Sequence, residues 1–254
     1  MATTLAISSQ KGGVAKTTTC FALGASLAER GQSVLLIDMD PQANLTISFG
    51  INPEKLHRTV GDALLEHYSL VAVSREGPMP NLDLVPSNQG LVVLDKVLYG
   101  RNAYEHRLKS QLEAMDNDYY DTILIDCPPQ FGTLTLNALT AADMLIIPVQ
   151  CEYYAARAMR PVLKLVELMR RKTNPHLAYR VLVTMYDRRN KISQIILSQI
   201  QTKFRSALFE TIIEIDTKLR ESPTVGLPIN LYAPHTRGAL QYRALAEELT
   251  NCDK

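Results

Sequence analysis

Between a short apolar run, Leu5-Ala6-Ile7-Ser8, and a stretch of helical periodicity stands Gln10-Lys11-Gly12-Gly13-Val14-Ala15-Lys16-Thr17-Thr18-Thr19. A strand, a glycine turn and a helix N-terminus, in that order, admit few folds. The turn points backbone N–H groups at one spot and the helix dipole favours negative charge there, so the run reads as a phosphate cradle. The common pattern is G-x-x-x-x-G-K-[ST]. Gln10 and Ala15 stand at its two glycine positions, and what survives is Lys16-Thr17 preceded by Gly12-Gly13. The run also carries two lysines, Lys11 and Lys16, where the common pattern needs one. Taken alone, it is also compatible with a glycine-softened turn bearing solvated lysines.

The rest of the chain supplies context. Apolar runs at 3–8, 33–37, 82–86, 121–126, 143–148, 179–185 and 211–215 are expected to be strands. Amphipathic stretches at 16–30, 59–66, 88–98, 101–116, 133–141, 154–171, 191–205 and 236–250 are expected to be helices. Runs such as Val34-Leu35-Leu36-Ile37 and Thr122-Ile123-Leu124-Ile125 suit strands buried on both faces of a parallel sheet. The alternation predicts a doubly wound α/β fold with a mostly parallel sheet flanked by helices, and one domain over residues 1–254. In such sheets ligands bind beyond the C-terminal ends of the strands. Asp38, Asp40, Asp126, Gln150 and Asp187 fall at those ends. A lone aspartate there is usually a turn or cap residue, but several on one edge beside a phosphate loop point to a nucleotide site.

Composition excludes some classes. With 254 residues, 46% hydrophobic and 21% charged, the chain is an ordinary globular composition that needs no disulfides. Its four cysteines, Cys20, Cys127, Cys151 and Cys252, form no C-x-x-C pair or zinc spacing and read as reduced thiols of a cytosolic protein. No signal peptide is read at the N-terminus, and no apolar run reaches the roughly 18 residues of a membrane span. The net charge of +1 hides an asymmetry. Residues 1–150 carry 10 Lys/Arg against 16 Asp/Glu, a balance of −6, and residues 151–254 carry 17 against 10, a balance of +7. The basic half is compatible with a polyanion contact or with scattered surface charge.

Three segments together resemble a known family. Lys11-Gly12-Gly13-x-x-Lys16-Thr17-Thr18, then Asp38-Met39-Asp40-Pro41-Gln42-Ala43-Asn44, then Ile125-Asp126-Cys127-Pro128-Pro129 are similar to the P-loop ATPases with a deviant Walker A motif, and most to the ParA/Soj partition ATPases. The similarity runs nearly end to end, through Pro148-Val149-Gln150, Thr184-Met185-Tyr186-Asp187 and the tail around Tyr232-Ala233-Pro234 and Tyr242. It implies ATP and Mg²⁺ as cofactors, with the phosphates held by Lys11, Gly12, Gly13, Val14, Ala15, Lys16, Thr17 and Thr18. It implies Lys16 against the β- and γ-phosphates, the Thr17 hydroxyl on Mg²⁺, Thr18 on the α-phosphate, and Asp126 on a Mg²⁺-bound water. Asp40 would touch the metal through water and orient or deprotonate the attacking water. Lys11 would reach across a homodimer to the partner's ATP, where a cation offsets charge developing on the phosphates.

Departures from the family pattern set further expectations. Ala15 replaces the commoner glycine, which is tolerable at negative φ. Ile213-Glu214-Ile215-Asp216 replaces the usual Ile-Pro-Arg-Asn near the adenine, leaving Asp216 to accept from the base and Met185 to pack on its ring. The resemblance implies nonspecific DNA binding by basic residues of the second half, with Lys203, Arg205, Lys218 and Arg220 as candidates and Arg188, Arg189 and Arg237 beside them. It also implies a ParB-like or other adaptor that stimulates slow hydrolysis, and a cytoplasmic, nucleoid-associated protein. The cargo is plasmid or chromosomal DNA, or a protein body such as a microcompartment or chemoreceptor cluster. A MinD-like membrane role fits poorly, because the tail Glu247-Glu248-Leu249-Thr250-Asn251-Cys252-Asp253-Lys254 is acidic and poor in large apolar residues. An iron–sulfur carrier fits poorly because Cys127 and Cys151 lack cluster spacing.

Overall fold

The computed structural model describes residues 2–116, 119–152 and 155–252. Its elements are β1 (Thr3–Ile7), α1 (Lys16–Glu29), β2 (Val34–Asp38), α2 (Asn44–Ser48), α3 (Val60–Leu64), α4 (Leu70–Val73), β3 (Arg75–Glu76), β4 (Leu82–Val85), α5 (Leu91–Leu98), α6 (Arg107–Glu113), β5 (Thr122–Asp126), α7 (Thr133–Ala141), β6 (Met144–Gln150), α8 (Ala155–Lys172), β7 (Ala178–Thr184), α9 (Lys191–Phe204), α10 (Lys218–Glu221), α11 (Ile229–Tyr232) and α12 (Arg237–Cys252). The seven strands form one sheet in the order β3-β4-β2-β5-β1-β6-β7. Every pairing is parallel except that of the two-residue edge strand β3 with β4. This is the doubly wound, mostly parallel sheet expected from the alternation of apolar runs and amphipathic stretches.

Strand alternation divides the core into two layers. Leu35, Ile37, Ile123 and Ile125 face a cluster that includes residues of α3, α5, α7, α8 and α9. Val34, Leu36, Leu124 and Ile7 face the other way, onto α1 and α12. Helix α1 is buried along nearly its whole length. Gly24 lets it approach the sheet, since a Cβ there would lie 2.6 Å from Leu36 Cδ2. The Thr19 and Tyr242 hydroxyls, 3.0 Å apart and buried, join α1 to α12.

The winding positions the site. From β1 the chain passes through α1 to β2 on one side of β1, and later through β5 to β6 on the other. The C-terminal ends of β1, β2 and β5 therefore meet beside the β1–α1 turn, at the switch point where such sheets bind ligands.

Some elements differ from expectation. The strand expected at 211–215 does not form; the segment lies along β7 through isolated bridges, Val181 with Leu208 and Tyr186 with Glu214. Side chains of α12 take some of its backbone donors: Glu248 accepts from Glu210 N–H and Thr211 N–H, and Gln241 accepts from Glu214 N–H, while Ile213 N–H and Ile215 N–H donate to the Val183 and Tyr186 carbonyls. The helix expected at 59–66 stops at Leu64, with α4 separate after it. The helix expected at 101–116 is a 3₁₀ turn at Tyr104–His106 followed by the shorter α6. The helix expected at 154–171 is α8; residue 154 lies outside the described residues.

Candidate functional site

The turn after β1 is held from behind. The Gly13 carbonyl accepts from Gln150 Nε2 at 3.0 Å and the Val14 carbonyl from Thr184 Oγ1 at 3.0 Å. With its carbonyls turned toward β6 and β7, the loop leads into α1, whose first N–H groups have no partner within the helix. Gly13 adopts φ +72° and Ala15, the N-cap of α1, adopts φ +65°. The expectation of a negative φ at Ala15 is thus overturned. Alanine occupies a left-handed position where glycine is the unstrained residue, at a cost of about 1–2 kcal/mol.

Lys16, the first residue of α1, is buried. Thr17 Oγ1 donates to Asp126 Oδ2 at 2.6 Å. Asp126 ends β5, and the parallel register sets it between Ile7 of β1 and Asp38 of β2. Burial, then the neighbouring Asp38 carboxylate, push the Asp126 carboxyl well above its usual range, against the Thr17 hydrogen bond and the Lys16 charge. Burial likewise raises Asp38, although three donors from Thr46 and Asp40 oppose it. Asp126 Oδ1 is buried and has no hydrogen-bond partner among the described residues. An orphaned carboxylate oxygen beside a threonine hydroxyl fits a small divalent cation. No group of three or more His, Cys, Asp or Glu suited to a metal occurs among the described residues. That donor set suits Mg²⁺, which takes one or two carboxylates and completes its shell with water and phosphate oxygen.

These groups open on a cavity of about 580 Å³ lined by Gly12, Gly13, Ala15, Lys16, Thr17, Thr18, Asp40, Gln42, Pro129 and Arg220, among others. Asp40 is nearly buried at its wall, with its Oδ1 accepting from Gln42 N–H at 2.9 Å. Met185 and Asp216 meet Ala15 and Thr18 in an adjoining small cavity. Met185 is left-handed, at φ +51°. The Asp216 oxygens already accept from Lys218 N–H and Gly238 N–H, so this carboxylate also caps α10 and ties it to α12.

Lys11 lies elsewhere. Its ammonium donates to Gln150 Oε1 at 2.8 Å and to Glu152 Oε2 at 2.5 Å. It lines a separate cleft with Val149, Gln150, Glu152 and Met159 rather than the cavity of Lys16.

The basic candidates do not form one uniform patch. Lys203 and Arg205 stand exposed at the end of α9, and among the described residues neither has an ion-pair partner. Arg220 is exposed at the rim of the phosphate cavity. Lys218 pairs with Glu221 at 2.6 Å, Arg189 with Asp187 at 3.1 Å, and Arg188 and Arg237 both with Glu214. Only the pairings of Arg188 and Arg237 with Glu214 join residues far apart in sequence, and all four offset part of the charge that the candidates would offer a polyanion.

Cys20, Cys127 and Cys151 are buried free thiols, each pushed up by burial, Cys151 to about 11. The side chain of Cys252 lies outside the described residues. No described helix is long and apolar enough to cross a membrane.

The structure adds residues that the sequence did not single out, Glu152 against Lys11 and Thr46 and Ser87 around Asp40, and it gives Gln150, already placed at a strand end, a bond to Lys11. Glu152 and Ser87 stand just past the end of a strand, whereas Thr46 lies within α2. Residues 2–179 match the family described as AAA domain. The chain is 41% identical over 246 residues to the sporulation initiation inhibitor protein Soj of Bacillus subtilis, covering 96% of this chain and 97% of that one. It is 36% identical over 252 residues to the chromosome partitioning protein ParA of Caulobacter vibrioides, covering 98% and 94%. The crystal structure of cobyrinic acid a,c-diamide synthase from Mycobacterium smegmatis with bound ATP analog and magnesium superposes with a TM-score of 0.84 at 35% identity, covering 99% and 95%. The phosphate loop, the sheet and these similarities lead to one statement: the chain belongs to the AAA-domain family, within the Soj/ParA group of partition ATPases.

Proposed function

We propose that this chain binds ATP with Mg²⁺, dimerises around it, holds nonspecific DNA in that state, and is released when an adaptor stimulates hydrolysis. Lys16 and the N–H groups of the loop hold the phosphates of the chain's own nucleotide. The Thr17 hydroxyl, and through water Asp126 and Asp40, would hold Mg²⁺, which would supply charge neutralisation at the phosphate oxygens. Asp40 orients the attacking water and accepts its proton. A carboxylate is a modest base, so turnover is slow. Thr18 meets the α-phosphate, and Met185 and Asp216 lie where the base would continue from the loop.

The observation that carries the two-chain reading is the position of Lys11. Its ammonium sits with Gln150 and Glu152, outside the cavity that Lys16 lines. A cation so placed serves its own site poorly, and on leaving the half-exposed Glu152 pair it could serve a second copy. Of the candidates, Lys203, Arg205 and Arg220 are the ones without an ion-pair partner among the described residues, and they are assigned to DNA. The adaptor reads the cargo, whether DNA or a protein body, and the cycle runs in the cytoplasm on the nucleoid. The mycobacterial neighbour has a different reaction in its name, and nucleotide-dependent retention of this chain on DNA is what the partition reading requires and a diamide-synthase reading does not.

The test is light scattering and DNA co-sedimentation with Mg²⁺ and a slowly hydrolysed ATP analogue. Parent protein is expected to double in mass and sediment with DNA only with nucleotide. Asp40→Ala is expected to stay dimeric on DNA with ATP itself, and Lys11→Ala to lose stimulated hydrolysis. A parent that stays monomeric at saturating nucleotide overturns the proposal.

A further inference from the structure

Asp40 is fixed by its backbone as well as by its side chain. Its N–H donates to Asp38 Oδ1 at 3.1 Å, and its carbonyl accepts from Ser87 Oγ at 2.7 Å. The same carbonyl accepts from Ala43 N–H at 2.9 Å. Thr46 closes the ring. Its hydroxyl donates to Asp38 Oδ2 at 2.7 Å and accepts from Ser87 N–H at 2.9 Å, while its own N–H donates to Asp38 Oδ2 at 2.9 Å. Asp38, Thr46 and Ser87 are all fully buried. Three segments thus converge on one peptide: the end of β2, the first turn of α2, and the loop between β4 and α5.

We infer that Ser87 and Thr46, acting with Asp38, are positioning residues for Asp40, forming a buried hydroxyl clamp that sets where its carboxylate meets the phosphate cavity. The inference rests on the reading of Asp40 as the group that orients the attacking water. A local turn needs only the Ala43 and Gln42 bonds, which hold Asp40 to its own loop. The Ser87 bond adds something else: it spans 47 residues and ties Asp40 to the strand beyond β2. One serine gives the Asp40 carbonyl a second donor through Oγ, beside the Ala43 N–H, and gives the Thr46 hydroxyl a donor through its own N–H. Misplacing a reacting group by about 1 Å costs up to about 100-fold in rate, so a clamp on its backbone is felt in the chemical step and not in nucleotide affinity.

The experiment measures kcat, the KM for ATP and thermal stability of the full chain. Ser87→Ala removes the bond to the Asp40 carbonyl and leaves the Ser87 N–H bond to Thr46. Thr46→Val removes the hydroxyl at constant shape, and Thr46→Ser keeps it. Ser87→Ala and Thr46→Val are expected to lower kcat by about 10- to 100-fold with KM within twofold of the parent, and Thr46→Ser to restore most of the loss. In the Asp40→Ala background, Ser87→Ala is expected to cause no further loss. A parental kcat in folded Ser87→Ala, with Asp40→Ala inactive, overturns the clamp and leaves the role of Asp40 standing. An equal further loss in the Asp40→Ala background also overturns it. If Asp40→Ala hydrolyses ATP like the parent, the role of Asp40 fails and the clamp with it. If Ser87→Ala does not fold, the Thr46→Val and Thr46→Ser pair decides alone: equal kcat in the two overturns the clamp.

Discussion

Ala15 and Ala43 cap α1 and α2 in left-handed backbone, at φ +65° and +54°, on either side of the phosphate cavity. For an alanine this conformation costs about 1–2 kcal/mol, partly offset because glycine loses more freedom on folding. Ala15→Gly and Ala43→Gly are each expected to raise unfolding stability by about 0.5–1 kcal/mol, read as a higher urea midpoint at unchanged slope. A lower midpoint in both would mean that the left-handed angles are not strained. Lys11 supports a second prediction. Its partner Glu152 is more than half exposed, so the pair is worth at most about 1 kcal/mol. Glu152→Gln is expected to free Lys11 and speed nucleotide-dependent association by up to about fivefold, followed by stopped-flow light scattering. Association no faster than the parent's would remove any restraining role for Glu152. At this scale, what was legible was whatever is local. Lys16-Thr17, Asp40 and Asp126 stand in short segments whose residue types state their chemistry. Glu152, Thr46 and Ser87 were not legible, because each matters through a partner that only the sheet brings near. Ala15 was misjudged because the sign of φ is set by the turn and not by the side chain.

Among the elements, the segment after α9 shows how a strand is lost. Thr211-Ile212-Ile213 has the apolar character of a strand, but Glu248 of α12 binds the Glu210 and Thr211 N–H groups and the Arg180 guanidinium. Burial raises the Glu248 carboxyl; those two N–H groups, the Thr211 side chain and the Arg180 charge outweigh it and hold it below its usual range. A carboxyl lowered by folding adds stability above its unfolded pKa, about 4.3 for a glutamate. That contribution is lost as pH falls through the folded value. Glu248→Gln is therefore expected to be about 1 kcal/mol less stable than the parent at pH 7, with the gap narrowing as pH falls below the unfolded glutamate value of about 4.3, by urea midpoints across that range. A gap that stays constant with pH would show that the carboxylate charge is irrelevant to the lock. Strands β1, β2, β5 and β6 were legible because burial on both faces writes them as unbroken apolar runs. Helices α2, α10 and α11, of four or five residues, were not, because little more than one turn gives no repeat of the apolar positions to read.

Across the whole molecule, the opposed charge of the two halves is real in the sequence, yet the structure spends part of the basic half on its own acids. Each lysine or arginine that neutralises a DNA phosphate contributes about 0.9 to the slope of log affinity against log salt. Lys203→Ala with Arg205→Ala is expected to lower that slope by about 2, whereas Lys218→Ala, already paired with Glu221, is expected to change it by less than about 1. Equal slopes for the two variants would place the DNA contact elsewhere. Gln150 carries a further consequence. One side chain, at the end of β6, touches Lys11, the Gly13 carbonyl of the phosphate loop and the Met185 sulfur ahead of the Asp187–Arg189 turn. Two ligands that meet through such a joint obey reciprocity: whatever factor nucleotide adds to the grip on DNA, DNA must add to the grip on nucleotide. Titrating ATP analogue with and without DNA, and DNA with and without the analogue, is expected to give the same factor, and a factor above one would make DNA an effector that tightens the hold on ATP.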